Sequence, residues 1–290
     1  MKKILFVFLL PITCFTHAQT DTIPFPPLSS NTTIAQSVGN TLITVEYERP
    51  LARERKIFGE LVPWNKVWRT GAGQCTRIGF GEDVLVQGKK IAAGKYSLFT
   101  VPNPDKWIII LNSDTSIYGS YDYNSNKDVI RFEVIPTTTS RHYEAFTIDI
   151  DLVKTNANIY LAWVNTQVVF HIETNTSKNA DRFIREQLLS GKSTNSGDYF
   201  TAAQYLLYQR QDLQQALVLA EKSLQLDKYE GGAREVKMQI YEILHQYDNA
   251  KNEVIKAIEM TKTRKYHNEG DKQQEIKFWE TQLKRIGAQQ

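Results

Sequence analysis

Positively charged and indole side chains are concentrated between Arg49 and Thr76. The cationic residues are Arg49, Arg53, Arg55, Lys56, Lys66 and Arg69, and the indoles are Trp64 and Trp68. No two-residue alternation marks a strand in this segment, and a connection of this length in a compact domain is either ordered for function or disordered. The tryptophans favour order. Guanidinium groups beside aromatic faces suit a carboxylate, phosphate or sugar ligand.

We predict a ligand-binding site that combines this segment with nearby strands and a later loop. The predicted contacts are Arg49, Arg55, Trp64, Trp68, Arg69, Tyr96, Tyr121 and Arg131. A structural interpretation competes with this one: the arginines hold the loop through carboxylates, and the tryptophans cover one end of the domain. The carboxylates for such pairs are Glu46, Glu48 and Glu60.

A second loop, residues 112–128, is rich in tyrosine, amide and carboxylate side chains, among them Tyr118, Tyr121 and Tyr123. Aromatic platforms beside such polar groups bind sugar rings, and loops at the ends of β-domains are common binding sites. An ordinary exposed loop has the same composition. The loop is therefore a second candidate for ligand contact.

Asp149 and Asp151 alternate with apolar residues, which predicts a strand with both carboxylates on one face. Their expected separation of about 7 Å lies within the range of an inverting glycosidase pair. Any solvated strand face gives the same pattern, because alternation requires polar residues opposite the core.

Cys75 with His142 or His171 would supply a thiol and a base, yet nothing in the sequence brings them together. The histidines at 142, 171, 245 and 267 lack the spacing of a metal motif such as H-E-x-x-H. No metal and no cofactor are predicted.

Alternation dominates the chain from about residue 32 to residue 172. Apolar residues at every second position over 43–47, 130–134 and 146–152 predict half-buried antiparallel strands. Further strands are predicted at 75–80, 83–87, 94–101, 106–111, 157–164 and 167–173. Short strands in this number form a two-sheet sandwich or a jelly roll, with a barrel as the alternative.

The residue pattern at the two ends of the chain differs from that of the alternating region. Lys2 and Lys3 precede an apolar run from Ile4 to Phe15, and Ala18 follows it, which predicts a cleaved signal peptide at 1–18. Residues 19–30 form an extended lead-in, 31–175 the β-domain and 176–290 an all-α domain. The fold class is therefore α+β, with β first. The signal peptide predicts an exported protein, periplasmic or secreted.

The predicted helices are 179–190, 198–209, 212–226, 232–246, 248–262 and 268–286. A shift of 34 residues, the tetratricopeptide period, aligns Ala216 with Ala250 and Ser223 with Ala257. Small residues there let helices approach closely. Glycine and proline positions of that repeat are substituted, so the tail is tetratricopeptide-like and degenerate, and neighbouring elements must cap it.

Charge excludes one class of partner. Without the predicted signal peptide, which carries two lysines and no acid, 33 basic and 32 acidic residues remain. This balance lacks the basic surface of a nucleic-acid-binding protein. No later apolar stretch is long enough to cross a membrane.

Several stretches together carry a family resemblance: Tyr47-Glu48-Arg49-Pro50, Ile57-Phe58-Gly59, Trp68-Arg69-Thr70-Gly71-Ala72 and Gly94-Lys95-Tyr96-Ser97-Leu98-Phe99. They resemble the domain-of-unknown-function family 2911 over roughly residues 30–173. The resemblance implies an exported β-rich domain, sometimes followed by a helical tail, and implies no catalytic residue. After Gly71-Ala72 the chain departs from the family pattern with Gly73, Gln74 and Cys75.

We therefore predict a binding or scaffold protein of the cell envelope, with a small-molecule or carbohydrate site on the β-domain and a helical tail that contacts a protein partner. The alternative is an enzyme that acts on a carbohydrate or small envelope metabolite.

Overall fold

The computed structural model of the protein describes residues 25–289. The predicted signal peptide and the lead-in up to residue 24 lie outside the described residues. Within the described part, ten strands in two antiparallel sheets precede six α-helices. The predicted order, β followed by α, is confirmed.

The larger sheet has six strands in the order β1-β2-β3-β6-β7-β8. Their bounds are β1 Ser29–Val38, β2 Thr41–Pro50, β3 Ala72–Phe80, β6 Gly94–Val101, β7 Trp107–Asn112 and β8 Asp128–Val134. The sequence analysis placed no strand at β1, whose side chains are mostly polar because it lies at the sheet edge with one neighbour.

The smaller sheet has four strands in the order β5-β4-β10-β9. Their bounds are β4 Val84–Val86, β5 Lys89–Ile91, β9 Thr137–Val153 and β10 Asn156–Glu173. The prediction of separate strands at 157–164 and 167–173 is wrong. A single strand, β10, runs through both, and its register with β9 shifts between Ala162 and Thr166 because bulges accommodate the extra residues.

Both sheets contribute to one hydrophobic core. The larger sheet contributes Val45 and Ile78, and the smaller sheet contributes Phe146 and Ile159. All four residues are fully buried. These residues occupy the apolar positions of the alternating pattern, so burial of one face of each strand drives the two sheets together.

The six helices follow β10. Their bounds are α1 Thr176–Phe183, α2 Ser196–Gln209, α3 Leu213–Leu226, α4 Gly231–Ile243, α5 Tyr247–Thr263 and α6 Glu269–Gly287. A π-helical turn, Ile184–Leu188, extends α1. None of these helices, over the described residues, is long and apolar enough to cross a membrane.

Helix boundaries follow local chemistry. The Asp212 carboxylate accepts a 2.9 Å hydrogen bond from the Gln215 backbone N–H and caps α3. The helix predicted to begin at residue 232 begins at Gly231. α3 ends at Leu226, because the extended backbone of the next residue, Asp227, stops the helical hydrogen bonding.

The helices bury two successive clusters of side chains. One cluster joins α2, α3 and α4, and the next joins α4, α5 and α6. The small residues singled out by the sequence repeat, Ala216, Ser223, Ala250 and Ala257, are all buried. These small side chains thus lie inside the packed helical domain.

Polar contacts join the β-strands to the first helices. Thr176 Oγ1 accepts a 2.9 Å hydrogen bond from the Asn40 backbone N–H, and Lys154 Nζ donates to the Gln209 carbonyl at the end of α2. A cation there also complements the negative end of the helix dipole. The β-domain thus covers part of the helical surface.

Candidate functional site

The segment between β2 and β3 is ordered around Trp68. The Trp68 backbone N–H donates to the Thr100 carbonyl at 2.8 Å, and the Thr100 N–H donates back at 3.0 Å, so the segment is fastened to β6. The Trp68 indole is 8 % exposed, stacks on Trp163 with ring centroids 5.8 Å apart and donates to the Gly71 carbonyl. The predicted order is confirmed.

Unusual backbone conformations occur along this segment. Arg53, Glu54, Asn65 and Thr70 all have positive φ, which is uncommon outside glycine. For the β-branched Thr70 it is a strained state. The Thr70 hydroxyl bonds to Thr100 Oγ1, and its carbonyl accepts from Thr76 Oγ1, so buried hydrogen bonds hold the strain. Strain of this kind is found at ligand-binding segments.

Three arginines from this segment line one cavity of about 260 Å³, the arginine cavity. They are Arg53, Arg55 and Arg69. Its floor includes Trp68 and Trp163.

Two of the three guanidinium groups are held by backbone carbonyls. Arg53 Nη2 donates to the Leu28 carbonyl at 2.8 Å. Arg55 donates from Nε to the Ala52 carbonyl and from Nη2 to the Leu51 carbonyl. Neither forms an ion pair with a carboxylate in residues 25–289. Both positive charges around the cavity are therefore fixed in place without being neutralised.

Arg69 is different, because its side chain has no hydrogen-bond or ion-pair partner anywhere in the described part of the chain. Its Nε atom is buried. A Cβ placed on Gly119 would lie 3.7 Å from Arg69 Nη1 and 3.0 Å from the Tyr121 ring, so the tyrosine loop reaches the same place. An unpaired guanidinium at a cavity wall is suited to receive an anion.

The structure therefore brings together Arg55, Trp68 and Arg69 of the predicted contacts, with Tyr121 nearby. Tyr121 is 86 % exposed. The sequence analysis did not include Arg53 or Trp163 among the contacts. Arg53 could have been included, because it is another arginine of the same segment, two positions before Arg55. Trp163 could not, because it lies on β10 and reaches the cavity only through the packing of the smaller sheet.

The other predicted contacts lie elsewhere. Arg49 fastens β2 to β9, donating to the Phe146 carbonyl and to Thr147 Oγ1. Tyr96 donates its hydroxyl proton to the Ala92 carbonyl. The remaining two are also held by neighbours of their own: Trp64 stacks on Phe58, and Arg131 bonds to Asp128 and Tyr123.

The structural interpretation proposed ion pairs between these arginines and nearby glutamates, and this part of it is wrong. Glu46 binds Arg77 and Lys95, and Glu60 binds Lys56. Glu48 accepts a hydrogen bond from the Gln74 backbone N–H, so none of the three carboxylates pairs with Arg49 or Arg69 in residues 25–289. Trp68 belongs to the core and therefore has a structural role in addition to lining the cavity.

The tyrosine loop is organised by its own polar side chains. Asp114 accepts hydrogen bonds from Lys127 Nζ at 2.7 Å and from the Ser116 hydroxyl and backbone N–H. These contacts lower the pKa of Asp114 to about 2. The Tyr123 hydroxyl donates to Asp128, and burial together with that carboxylate raises the pKa of Tyr123.

Lys127→Ala should raise the pKa of Asp114 from about 2 toward its ordinary value, because the strongest hydrogen bond and a positive charge are removed. The pKa in the unfolded chain is about 3.9, so Asp114 stabilises the fold above that pH and loses this contribution as the pH falls through about 2. NMR titration of the Asp114 carboxyl carbon measures the change. Lys106→Ala, which removes a cation bound to Glu133, is the control, and equal pKa values in both variants would contradict the assignment.

Asp149 and Asp151 lie together, as predicted, on the face of the smaller sheet that is turned away from the core. They line a depression of about 260 Å³ with Arg141, Tyr143 and Tyr160. The Arg141 guanidinium lies 4.5 Å from the centre of the Tyr143 ring. The depression thus holds two carboxylates, a cation and two aromatic rings.

The thiol and base candidates are apart. Cys75 is buried with its Sγ 3.0 Å from Ser97 Oγ, while His142 bonds to Asn165 and His171 to Asn158. The suggestion of a thiol–base pair is therefore wrong. Over residues 25–289, no group of three or more His, Cys, Asp or Glu side chains is placed to hold a metal ion.

Comparison with known proteins assigns the β-rich part of the chain. Neither the curated proteins nor the solved structures gave a match. One family model matches residues 29–172, which begin with β1 and end within β10. Residues 29–172 thus carry the domain of the family described as Protein of unknown function (DUF2911), which confirms the resemblance drawn from the sequence motifs.

Proposed function

We propose that the protein is an exported binding protein of the cell envelope, in which the arginine cavity holds a small anionic molecule and the helical tail contacts a protein partner. The observation that carries the proposal is the unpaired guanidinium of Arg69 beside the equally un-neutralised Arg53 and Arg55. The ligand is held without catalysis or a cofactor.

Electrostatics supports an anionic ligand. Gathering three positive charges around a partly enclosed space is unfavourable, because the charges repel each other and the burial of Arg69 Nε is not compensated by an acceptor. A carboxylate or phosphate relieves both costs. It also accepts two parallel hydrogen bonds from one guanidinium fork, the geometry for which arginine is suited.

Export and the finer fold assignments belong to the same proposal. The lysines and apolar run ahead of Ala18 support a signal peptide. The core shared by the two antiparallel sheets supports a two-sheet sandwich. In the tail, the 34-residue repeat and the buried small residues at matching positions support a degenerate tetratricopeptide array, whose stacked helices offer a recognition surface.

Arg69→Met should abolish anion binding while leaving the unliganded protein as stable as the wild type, because the guanidinium has no partner to lose. The measurement is a thermal shift with phosphate, sulfate, acetate and succinate. A ligand at about 100 times its Kd stabilises the wild type by about 2.7 kcal/mol. Arg182→Met, which removes an exposed guanidinium on α1, is the matched control and should keep the full shift.

Two results would contradict the site. One is a wild-type melting temperature that none of these anions raises, and the other is an equal shift in Arg69→Met and the wild type.

A second candidate function is carbohydrate hydrolysis on the outer face of the smaller sheet. It is favoured by the depression that holds Asp149 and Asp151 between Tyr143 and Tyr160. One carboxyl as acid and the other as base, about 7 Å apart along a strand, match an inverting mechanism. Release of reducing ends from a polysaccharide, or its absence, separates this function from the first.

A further inference from the structure

The arginine cavity has an apolar side as well as a cationic one. Leu28, Leu51 and Leu61 line it and are 75 %, 36 % and 44 % exposed. They come from two segments: Leu28 precedes β1, whereas Leu51 and Leu61 lie in the connection between β2 and β3. Single exposed leucines are ordinary on protein surfaces, but three at the mouth of one cavity form an apolar rim.

The arginines hold this rim in place. Arg53 Nη2 binds the carbonyl of Leu28 at 2.8 Å, and Arg55 Nη2 binds the carbonyl of Leu51 at 2.7 Å. The positions of two rim leucines and of two positive charges are thus fixed by the same hydrogen bonds. The Arg69 side chain, which has no hydrogen-bond or ion-pair partner in residues 25–289, remains to receive the charge of a ligand.

The deeper wall is also apolar. Val62, Trp68 and Trp163 line the cavity and are 3 %, 8 % and 1 % exposed. A small inorganic anion would neutralise the guanidinium groups but leave these surfaces and the leucine rim in contact with water. A ligand with both an anionic group and an apolar body would cover the two together.

We infer that the ligand of the arginine cavity is a small amphiphilic carboxylate, with its carboxylate on Arg69 and an aliphatic or aromatic body against the leucine rim. This inference rests on the proposed anion-binding function and names its ligand class. The cavity volume of about 260 Å³ suits a small carboxylate rather than a long lipid chain.

The test is isothermal titration of the purified protein with acetate, butyrate, hexanoate and octanoate, each below its micelle concentration. Each added methylene should lower Kd about fourfold, the factor that corresponds to about 0.8 kcal/mol per buried methylene, until the cavity is filled. Hexanol, which has the chain without the charge, should not bind. Arg69→Met should bind none of the carboxylates.

Leu61→Ser should flatten the dependence of Kd on chain length while leaving acetate binding unchanged. Leu61 is exposed, so its replacement does not disturb the core. Val218→Ser is the matched control: Val218 is 60 % exposed on α3, away from the cavity, and the variant should retain the wild-type series.

The outcomes separate the inference from the function on which it rests. If acetate and phosphate bind through Arg69 as tightly as hexanoate, the anion site stands and the amphiphilic ligand is wrong. If no anion binds, both are wrong. Binding of octanoate that persists in Arg69→Met, or binding to phosphatidylglycerol vesicles without any binding of monomeric carboxylates, overturns the inference in favour of a nonspecific apolar or membrane-facing surface.

Discussion

Glu253→Gln should lower the free energy of unfolding by about 3–5 kcal/mol, because removing one partner of a buried ion pair leaves the opposite charges uncompensated. Glu253 is 3 % exposed on α5. Its carboxylate binds Lys237 Nζ at 2.9 Å and Arg234 Nη1 at 3.2 Å, both on α4, and the more exposed Lys256 at 3.3 Å. A single buried carboxylate thus pairs with cations of both α4 and α5.

The cations retain their charge in the folded protein. Burial lowers the pKa of Lys237, but its hydrogen bonds to Glu221 and Glu253, together with their charges, outweigh this effect and raise the pKa overall. Lys237 is 6 % exposed and cannot move its ammonium group into water without unpacking α4. Substitution of Glu253 therefore leaves a charged lysine buried with Glu221 alone.

Urea denaturation followed by circular dichroism measures the loss. Glu221→Gln is the matched control, because Glu221 binds the same lysine but its side chain is 52 % exposed, and an exposed partner contributes up to about 1 kcal/mol. The double variant Lys237→Met/Glu253→Gln should lose less than the sum of the single variants. Equal losses in Glu253→Gln and Glu221→Gln would show that the buried carboxylate has no special role.

The contacts within this ion-pair cluster could not be predicted from the sequence. Each helix was predicted from its apolar period, because that pattern depends on residues three and four positions apart. Lys237 and Glu253 are 16 residues apart on different helices, and their contact depends on how α4 packs on α5. Nothing local distinguishes them from solvated charges such as Lys222.

In the β-domain, too, features with a local residue pattern were predicted and features that depend on neighbouring strands were not. Strand segments with one buried face, such as residues 146–152 of β9, were predicted because burial imposes a two-residue period. The edge strand β1 was missed because a strand with one neighbour can be polar on much of its surface. Asn165 and Thr166 suggested a break in β10, but the bulges keep the chain in the sheet.

The candidate site was predicted where it is local in the chain. Arg55, Trp68 and Arg69 belong to one segment with a recognisable mixture of guanidinium and indole groups. The leucine rim draws on Leu28 and Leu51, whose position at the cavity follows from strand pairing, and no periodicity marks them. That Arg69 is unpaired was equally beyond sequence analysis, since three nearby glutamates were equally plausible partners.

Trp163→Ala should lower the free energy of unfolding by about 3–5 kcal/mol, the loss usual for a large aromatic residue removed from a core. Trp163 is 1 % exposed, stacks on Trp68 and packs edge-on against Phe58 and Phe146. Its indole N–H also donates to the Glu144 carbonyl at 3.2 Å. Alanine leaves that carbonyl without this donor and the aromatic cluster without its centre.

Urea denaturation followed by circular dichroism compares this variant with Trp64→Ala, the matched control. Trp64 packs on Phe58 from the rim and is only partly buried, so its loss should be clearly smaller. Trp163→Phe should recover part of the stability, because a smaller ring still fills much of the space. Since Trp163 also forms the floor of the arginine cavity, Trp163→Ala should weaken the binding of hexanoate more than the binding of acetate. Equal stability of the two alanine variants would instead show that the sheets are held together elsewhere, and the cavity floor would then not depend on Trp163.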